Sequence, residues 1–461
     1  MREQVSKLLI LLMVFTFVKG LFWVFTTPIF QAPDEPQHYS YVQYLVEKRR
    51  IPKIKELDFK PSERLAVQMQ ILETRDIAHN AHIQHSYYRA ASDIHPHEAL
   101  KSLENLNATP SEINYIHNYG PLYYLLNVPI YLIAEPSLPW QVYGMRAFSV
   151  LLSCLTVLLV FLSARLLFDR WNFPLLFGLF FTLHPQFSFV SASINNDNLI
   201  ILLFTLFFYL ATKWWGQNLT VQKVLLLIGI GFLGFITKTH GIILGFLIFM
   251  YLLLDFLRRM DLKKILLAGF ALLAGILASA SIFFQQIAKG FLQNPNAIND
   301  YFNEHGVLWF LKTITLTRLF RTYKSFFGRY GWLDTLMPEW AYYLFFALML
   351  PALMGLVVFF MKSKDKKLKS IMAFFIFSIL VVDFTYTLLF AKNAILFDYY
   401  NFPIQGRYYF IVLLPILFLM FLGLSGLSKK YVKPILYGSV YLMFFVHIIA
   451  LFALIPIRYY L

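Results

Sequence analysis

The chain has 461 residues, of which 59% are apolar and only 14% are charged. Soluble domains average about 45–50% apolar and about 25% charged residues, so this composition excludes a disordered chain, a small disulfide-bonded scaffold and an ordinary soluble enzyme. The net charge of +15 is compatible with nucleic-acid binding only if the basic residues form a nucleic-acid surface. The single cysteine, Cys154, excludes an internal disulfide and a cysteine zinc site.

The first predicted element is a transmembrane helix at residues 8–30, an apolar run longer than the ~20 residues that cross a bilayer. Arg2 and Lys7 precede it as in a signal peptide, but the run is too long and no small-residue cleavage site follows. We therefore expect an uncleaved span. Further candidate spans follow in chain order at roughly 145–167, 174–192, 198–212, 222–236, 240–257, 265–288, 339–361, 370–390, 408–427 and 434–456.

Short basic clusters in the connecting loops decide the predicted orientation. They hold 18 of the 40 basic residues together with four acids, so they account for nearly all of the net charge. The positive-inside rule places every cluster in the cytoplasm if the proline-containing run 121–134 lies in the membrane interface and does not cross. The clusters are Arg2/Lys7, Arg165/Arg170, Lys213/Lys223, Arg258/Arg259/Lys263/Lys264, Lys362 to Lys369, and Lys429/Lys430/Lys433.

This charge pattern predicts an all-α polytopic protein of the cell membrane, with residues 1–461 as a single integral membrane domain. It has about 11 transmembrane helices and a cytoplasmic N-terminus. The basic residues then mark orientation and contact with anionic headgroups of the lipid bilayer, and no nucleic-acid partner is expected. Transmembrane helices are predicted throughout residues 144–288 and 339–456.

Two long segments are predicted on the extracytoplasmic side. The first, residues 31–143, is too long for a simple connection, and we expect helices at 35–50 and 61–89 besides the interfacial helix at 121–134. The second, residues 289–338, mixes apolar and basic side chains between positions 306 and 327. That mixture is typical of an amphipathic helix on the outer leaflet.

The sharpest motif, Ala-Pro-Asp-Glu-Pro-Gln-His at residues 32–38, directly follows the first span. Asp34 or Glu35 is a candidate general base, since a positioned carboxylate accelerates such steps by roughly 10²–10⁴. His38 is a candidate substrate contact. The same residues also fit an ordinary helix start, with Asp34 as N-cap and Pro36 in the first turn. Spacing alone leaves both interpretations open.

Two polar segments lie at other predicted extracytoplasmic junctions. Asp197, in Ser-Ala-Ser-Ile-Asn-Asn-Asp-Asn at 191–198, is a candidate ligand for a metal or a substrate hydroxyl, or else part of a helix cap. Lys238 and His240 are candidates for the same site, although a polar tip between two spans explains them equally well.

Two glycine-containing motifs carry the remaining candidates. Arg329 and Asp334 lie in Phe-Gly-Arg-Tyr-Gly-Trp-Leu-Asp at 327–334, which fits either a substrate contact or an interfacial turn. Arg407 and Tyr408 lie in Gln-Gly-Arg-Tyr-Tyr at 405–409. Arginine suits a phosphate because its planar fork donates two bonds at once, but a snorkelling arginine in an aromatic belt is an equal alternative.

Metal binding is weakly indicated. His79, His82 and His85 repeat every three residues and so share one broad helix face. The cofactor stays unassigned, with a divalent metal left open. Asp383 lies inside a predicted span, where a charge is costly, and it either marks a functional path or pairs within the bundle.

Together the motifs resemble the glycosyltransferase C (GT-C) superfamily, which has an acidic pair after span one, juxtamembrane helices in a large first outer loop and a second acidic turn after span three. More narrowly, PDEPQH, INND, GRYGWLD and QGRYY resemble the bacterial family called domain of unknown function 2142 (DUF2142). These motifs lie at 33–38, 194–197, 328–334 and 405–409, so the resemblance covers nearly the whole chain.

The superfamily resemblance implies a lipid-linked sugar donor, usually a polyprenyl phosphate, and an acceptor on the outer face. By resemblance, Asp34 matches the carboxylate proposed as base, with Glu35 as its neighbour. Asp197 falls where some members carry a second acidic motif. Metal use varies across the superfamily, so the resemblance assigns none.

Residues and resemblance together predict an inverting membrane glycosyltransferase that moves a sugar from a polyprenyl-phosphate-linked donor to a cell-surface glycan or glycolipid. Asp34 takes the acceptor proton, and Arg407 meets the charge of the leaving phosphate, with Lys238 or Arg329 in support. The alternatives are a transporter or flippase for the same lipids, favoured by Asp383, and a non-catalytic scaffold for glycan assembly.

Overall fold

The computed structural model describes residues 2–52, 62–78, 80, 116, 119–168, 172–258, 296–397, 405–428 and 430–461. These residues are predominantly helical and include one short antiparallel hairpin. The helices of the first half are α1 Arg2–Thr26, α2 Glu35–Lys48, α3 Glu63–Ile71, α4 Thr74–Ile77, α5 Leu122–Ile133, α6 Leu138–Leu167, α7 Phe173–Thr182, α8 Pro185–Ser191, α9 Asp197–Lys213, α10 Val221–Phe235 and α11 Gly241–Leu257.

The second half begins with α12 Ala297–His305, followed by a nearly continuous helix made of α13 Val307–Lys312, a π-helical turn Thr313–Thr317 and α14 Arg318–Phe327. The hairpin joins β1 Arg329–Tyr330 to β2 Thr335–Leu336, with Arg329 opposite Leu336. The remaining elements are α15 Glu339–Lys362, α16 Lys366–Phe397, a 3₁₀ helix Gly406–Val412, α17 Leu413–Gly426, α18 Val432–Ile449, a π-helical turn Ala450–Leu454 and α19 Ile455–Tyr459.

Among the described helices, six are long and apolar enough to cross a membrane, or seven if the bent pair α7 and α8 is one span. The six are Lys7–Thr26, Leu138–Leu167, Glu339–Lys362, Lys366–Leu396, Gly406–Gly426 and Val432–Tyr459. This confirms an all-α polytopic membrane protein.

The remaining predicted spans are not among these six long helices. Helices α9, α10 and α11 correspond to three of them, but they have 17, 15 and 17 residues, fewer than the ~20 of a typical span. The predicted span at 265–288 lies outside the described residues. A total of about 11 spans therefore stays a prediction.

The helices on either side of residues 27–34, which we call the first junction, are close to those predicted. Helix α1 ends at Thr26, before the predicted limit at residue 30, because Pro28 has no N–H to donate and restricts the residue before it. Helices α2 and α5 fall within the predicted 35–50 and 121–134. Of the helix predicted at 61–89, the structure describes α3 and α4, separated by a turn.

The break between α7 and α8 is held from inside the bundle. The two helices meet at 66°, and His184 caps α8 by accepting a hydrogen bond from the Phe187 amide at 3.2 Å. Lys19 of α1 donates from Nζ to the Thr182 carbonyl and to Ser188 Oγ. Its ammonium group thus lies at the carbonyl end of α7, where the helix dipole favours a positive charge.

Described residues of five predicted cytoplasmic clusters, or residues next to them, meet at one end of the bundle, which we call the basic end. Arg258 donates to Ser370 Oγ at 3.1 Å and lies 4.6 Å from the Trp215 ring, which joins three cluster regions. Lys367, Leu167 and Ser425 line a common cavity, so α6 and α17 end there too. Helix α9 runs from Asp197 to Lys213 near this end, a rise of about 25 Å. Asp197 therefore lies at the opposite end, which we call the site end.

Candidate functional site

Asp34 and Arg407, 373 residues apart in the chain, form an ion pair at the site end. Arg407 Nη2 donates to Asp34 Oδ2, and the Arg407 side chain is 5% exposed against 23% for Asp34. Asp34 adopts a left-handed conformation with φ of 64° and makes no side-chain capping bond to α2. Asp34 therefore occupies the predicted N-cap position of α2, but its side chain contacts the distant arginine and makes no capping bond.

Glu35 has a different environment, because its side chain is fully buried. Its two oxygens accept from Arg146 Nε at 2.7 Å and Nη2 at 2.6 Å. They also accept from the backbone amides of Phe30 and Ile194, both at 3.1 Å. The same guanidinium donates to three carbonyls at the end of α1, those of Val24, Thr27 and Pro28. Glu35 thus ties the first junction to α6 and to the turn before α9.

Arg146 was missed by the sequence analysis, although a signal was present. It is a charged residue in the first third of α6, whose overall composition is apolar. Ionisable residues in such segments are costly unless they are paired inside the bundle. That cost predicts a carboxylate partner for Arg146 inside the bundle.

Asp197 joins the site through Lys238, whose Nζ lies 2.5 Å from Asp197 Oδ1. Both side chains are less than a tenth exposed. The neighbouring asparagines hold the turn: Asn195 Oδ1 accepts from the Asp197 amide at 2.8 Å, and Asn196 Nδ2 donates to the Thr237 carbonyl at 3.2 Å. The amides therefore build the turn and direct the Asp197 carboxylate towards Lys238.

Tyrosine rings connect these two ion pairs. Lys238 Nζ lies 5.0 Å from the Tyr119 ring, and the His38 ring stacks on that tyrosine at 6.4 Å. The Tyr408 ring lies 5.7 Å from the Arg407 guanidinium and 6.2 Å from the His240 ring. Tyr386 stacks on Tyr408 at 5.5 Å and also faces His240. We call this group the polar cluster: Asp34, His38, Tyr119, Asp197, Lys238, His240, Tyr386, Arg407 and Tyr408.

Tyr119 and Tyr386 were not foreseen, because tyrosines are common at membrane interfaces and their pattern in this sequence is not distinctive. Gly120 explains how Tyr119 reaches the cluster. A Cβ at this glycine would lie 2.0 Å from the Ile236 carbonyl oxygen, so only glycine permits the close approach of the two segments. The backbone contact between Leu122 and Ile236, at 3.2 Å, fixes the same junction.

The cluster is formally neutral, with two carboxylates, one lysine and one arginine. Burial lowers the pKa of both His38 and His240 to about 3, with nearby Lys238 acting in the same direction. Both imidazoles are therefore uncharged near neutral pH. His38 uses Nδ1 in a hydrogen bond of 2.8 Å with Tyr124 Oη.

Four buried polar atoms of the cluster have no hydrogen-bond partner among the described residues: Asp197 Oδ2, His240 Nδ1, Tyr386 Oη and Arg407 Nε. Buried polar groups in proteins are nearly always paired. Here an acceptor, a cationic donor and two groups able to donate or accept are buried together. This arrangement is suited to a polar ligand that presents hydroxyl groups and at least one acceptor for Arg407 Nε.

The structure places Arg329 and Asp334 in a different environment. Asp334 pairs with Arg458 of α19 at 2.8 Å, and Arg329 Nε donates to the Leu333 carbonyl. Trp332 Nε1 donates to the Phe30 carbonyl at 3.0 Å, which packs this turn against the segment leading to Asp34. Both predicted site residues thus build a supporting turn next to the cluster.

The amphipathic helix α14 positions Arg407. The Gly406 amide donates to Ser325 Oγ at 2.7 Å, and a Cβ on Gly406 would lie 2.1 Å from the Phe326 amide nitrogen. Asp383 pairs with Arg318 at 2.9 Å and accepts from Tyr409 at 2.7 Å. Asp383 therefore pairs within the bundle and fastens α14 to the segment that carries Arg407.

Metal ligation finds little support in the described part of the chain. It contains no group of three or more His, Cys, Asp or Glu side chains placed to hold a metal ion. Asp34 and Asp197 are each paired with a basic side chain. The histidines at 79, 82 and 85 lie outside the described residues.

Comparison with known proteins places the chain in a family. No curated protein and no solved structure matches it. A family model described as a predicted membrane protein matches residues 17–455, which include all four motifs and every residue of the polar cluster. The chain therefore belongs to DUF2142, a family of predicted membrane proteins.

Proposed function

We propose that this protein is a membrane glycosyltransferase of the GT-C type. It transfers a sugar from a polyprenyl-phosphate-linked donor to an extracytoplasmic glycan or glycolipid, with inversion at the anomeric carbon. The observation that carries the proposal is the Asp34–Arg407 pair, which combines a partly exposed carboxylate with a buried guanidinium whose Nε has no partner among the described residues.

The proposed reaction is a single displacement. The acceptor hydroxyl oxygen forms a bond to the anomeric carbon while the bond from that carbon to the phosphate oxygen breaks. The hydroxyl proton passes to Asp34, and the polyprenyl phosphate leaves with the bonding electron pair. Arg407 and Lys238 stabilise the leaving group, and one such preorganised contact is worth roughly 10²–10³ in rate.

The geometry supports Asp34 over Glu35 as the base. Both Glu35 oxygens already accept hydrogen bonds, and the side chain is completely buried. Asp34 is 23% exposed and lies beside the arginine assigned to the phosphate. We therefore assign proton transfer to Asp34 and give Glu35 a positioning role.

The remaining cluster residues are assigned to the sugar. Asp197 Oδ2, His240 Nδ1 and Tyr386 Oη are buried without partners among the described residues, so sugar hydroxyls can satisfy them. A site built to hydrogen-bond hydroxyl groups also discriminates strongly against analogues that lack them. Lys238 and Arg407 are assigned to the phosphate as cationic hydrogen-bond donors.

The proposed orientation follows from the basic end. The clusters that meet there belong in the cytoplasm by the positive-inside rule, so the polar cluster faces the extracytoplasmic side of the cell membrane. In the proposed orientation the N-terminus is cytoplasmic, and the chain crosses the membrane about 11 times. The amphipathic helix α14, held to the bundle by Arg318, lies at the outer leaflet, where it guides the donor lipid towards Arg407.

The test uses the purified full chain in lipid vesicles. A panel of polyprenyl-phosphate-linked pentoses and hexoses is supplied with cell-envelope glycans and glycolipids, and sugar transfer is compared between wild type and Asp34→Asn. The matched control is Glu339→Gln, the same carboxyl-to-amide change in a surface ion pair with Lys324. We expect transfer to fall by about 10² or more for Asp34→Asn and to be unchanged in the control.

Two outcomes contradict the proposal. Full transfer by a well-folded Asp34→Asn removes that residue from the base role. Movement of the donor lipid between leaflets by wild type, without transfer to any acceptor in the panel, favours the transporter.

A further inference from the structure

The basic end of the bundle contains a second feature, a cavity of about 420 Å³. Its size falls within the range of roughly 300–1,000 Å³ that is usual for small-molecule sites. Helix ends from distant parts of the chain form it: the end of α6, the start of α7, the turn between α15 and α16, and the end of α17. Its lining consists of Leu166, Leu167, Phe168, Phe173, Phe359, Ser363, Asp365, Lys367, Leu368, Ile371, Leu422 and Ser425.

The walls of this cavity are amphiphilic. Phe168, Phe173 and Phe359 form an aromatic side, with the first two rings 5.7 Å apart. Ser363, in the turn between α15 and α16, and Lys367, in the first turn of α16, form a polar rim. A lining that combines aromatic and aliphatic side chains with serine and lysine suits a molecule that has both a hydrocarbon chain and a headgroup.

The rim carries an excess of positive charge. Lys362, Lys364, Lys366 and Lys367 are exposed on the segment that leads into α16. The acid in this turn, Asp365, accepts a hydrogen bond of 2.9 Å from the Leu368 amide and so caps that helix. The charge is therefore complementary to an anionic headgroup at the cavity mouth.

We propose that this cavity binds an anionic phospholipid. An acyl chain enters between the aromatic side and Leu422, and the headgroup phosphate contacts Lys367 and its lysine neighbours. The position at the basic end, far from the polar cluster, makes this a separate site from the one assigned to the sugar donor. The proposal does not depend on the glycosyltransferase assignment.

The test measures lipid binding to the purified full chain by native mass spectrometry. Phosphatidylglycerol and phosphatidylcholine with identical acyl chains are titrated against wild type and Lys366→Gln/Lys367→Gln. A lysine near an anionic surface strengthens binding about fivefold, so we expect the double variant to bind phosphatidylglycerol about 25-fold more weakly. Wild type should also prefer phosphatidylglycerol to phosphatidylcholine by at least that factor.

The matched control is Lys213→Gln/Lys223→Gln, which removes two charges from another loop at the same end. Lys213 lies over the Tyr209 ring and Lys223 over the Trp214 ring, and neither lysine lines the cavity. We expect it to change phosphatidylglycerol binding less than twofold. A second variant, Ser425→Phe, keeps every charge but fills the cavity, and we expect it to abolish the tight phosphatidylglycerol site.

Three results overturn the proposal. The first is equal affinity for the two lipids, and the second is an equal loss in both lysine variants, which indicates general attraction to the basic surface. The third is unchanged binding in Ser425→Phe, which places the lipid outside the cavity. If Ser425→Phe does not fold, the comparison between the two lysine double variants tests the proposal.

Discussion

Replacing Glu35 by glutamine should destabilise the fold far more than replacing its neighbour Asp34 by asparagine. Glu35 and Arg146 are both fully buried, and the carboxylate also accepts two backbone amides. The amide of Glu35→Gln is neutral, so the Arg146 guanidinium stays buried without its counter-ion. The Asp34 side chain is 23% exposed, so water can solvate an asparagine there.

The expected loss of folding free energy in Glu35→Gln follows from the Glu35–Arg146 contacts. Removing one partner of a buried ion pair costs about 3–5 kcal/mol. Hydrogen bonds to a charged group contribute about 1.5–3 kcal/mol each, so losing part of the four-bond set of Glu35 accounts for a cost of that size. For Asp34→Asn we expect a loss of about 1 kcal/mol or less, as for pairs near the surface.

The assay is reversible unfolding of purified protein in one detergent, with wild type, Glu35→Gln, Asp34→Asn and Glu339→Gln compared side by side. The expected order of destabilisation is Glu35→Gln far above Asp34→Asn, with the Glu339→Gln control near zero. Equal stability of Glu35→Gln and wild type would refute the positioning role of Glu35. A loss for Asp34→Asn as large as that for Glu35→Gln would refute the distinction between the two carboxylates.

Three further predictions address the polar cluster. Gly406→Ala places a Cβ about 2.1 Å from the Phe326 amide nitrogen, so it should displace Arg407 and lower the rate of sugar transfer by about 10². The control Gly438→Ala places its Cβ in open space and should leave the rate unchanged. Equal transfer rates for the two variants contradict this prediction. Because burial lowers the pKa of His38 and His240 to about 3, the unfolded chain binds more protons below pH 6.5. The stability of the fold is thus full above about pH 6.5 and falls towards pH 3, by up to about 1.4 kcal/mol per pH unit for each histidine. Unfolding measured over this pH range tests it: if replacing both histidines by glutamine leaves the pH dependence of stability unchanged, the lowered pKa values are refuted. Transfer should persist in EDTA because a lysine and an arginine already neutralise the cluster carboxylates, and loss of transfer that Mg²⁺ or Mn²⁺ restores would place a metal there.

Much of this site could be predicted because membrane topology is a strong constraint. Long apolar runs and basic loops fix which junctions share an end of the bundle. From these two constraints the sequence predicts that Asp34, Asp197, Lys238 and Arg407 lie at one end of the bundle. The structure adds that these four side chains form two ion pairs joined by tyrosines.

The sequence could not distinguish the two adjacent carboxylates, because their difference depends on one backbone angle and one distant partner. The positive φ of Asp34 directs its side chain to Arg407, while Glu35 points inwards to Arg146. Spacing carries no information about such pairings, which join residues more than 100 positions apart. The same limit explains Asp334, whose partner Arg458 lies near the C-terminus.

The most direct test of the central claim is a structure of the full chain with a polyprenyl-phosphate-linked sugar bound in lipid nanodiscs. We expect a phosphate oxygen within hydrogen-bond distance of the Arg407 guanidinium and of Lys238 Nζ. The anomeric carbon should face Asp34, and the sugar hydroxyls should contact Asp197 or His240. A phosphate bound away from Arg407, for example at Arg329, would contradict the account, and so would a sugar that makes no contact with Asp197 Oδ2 or His240 Nδ1.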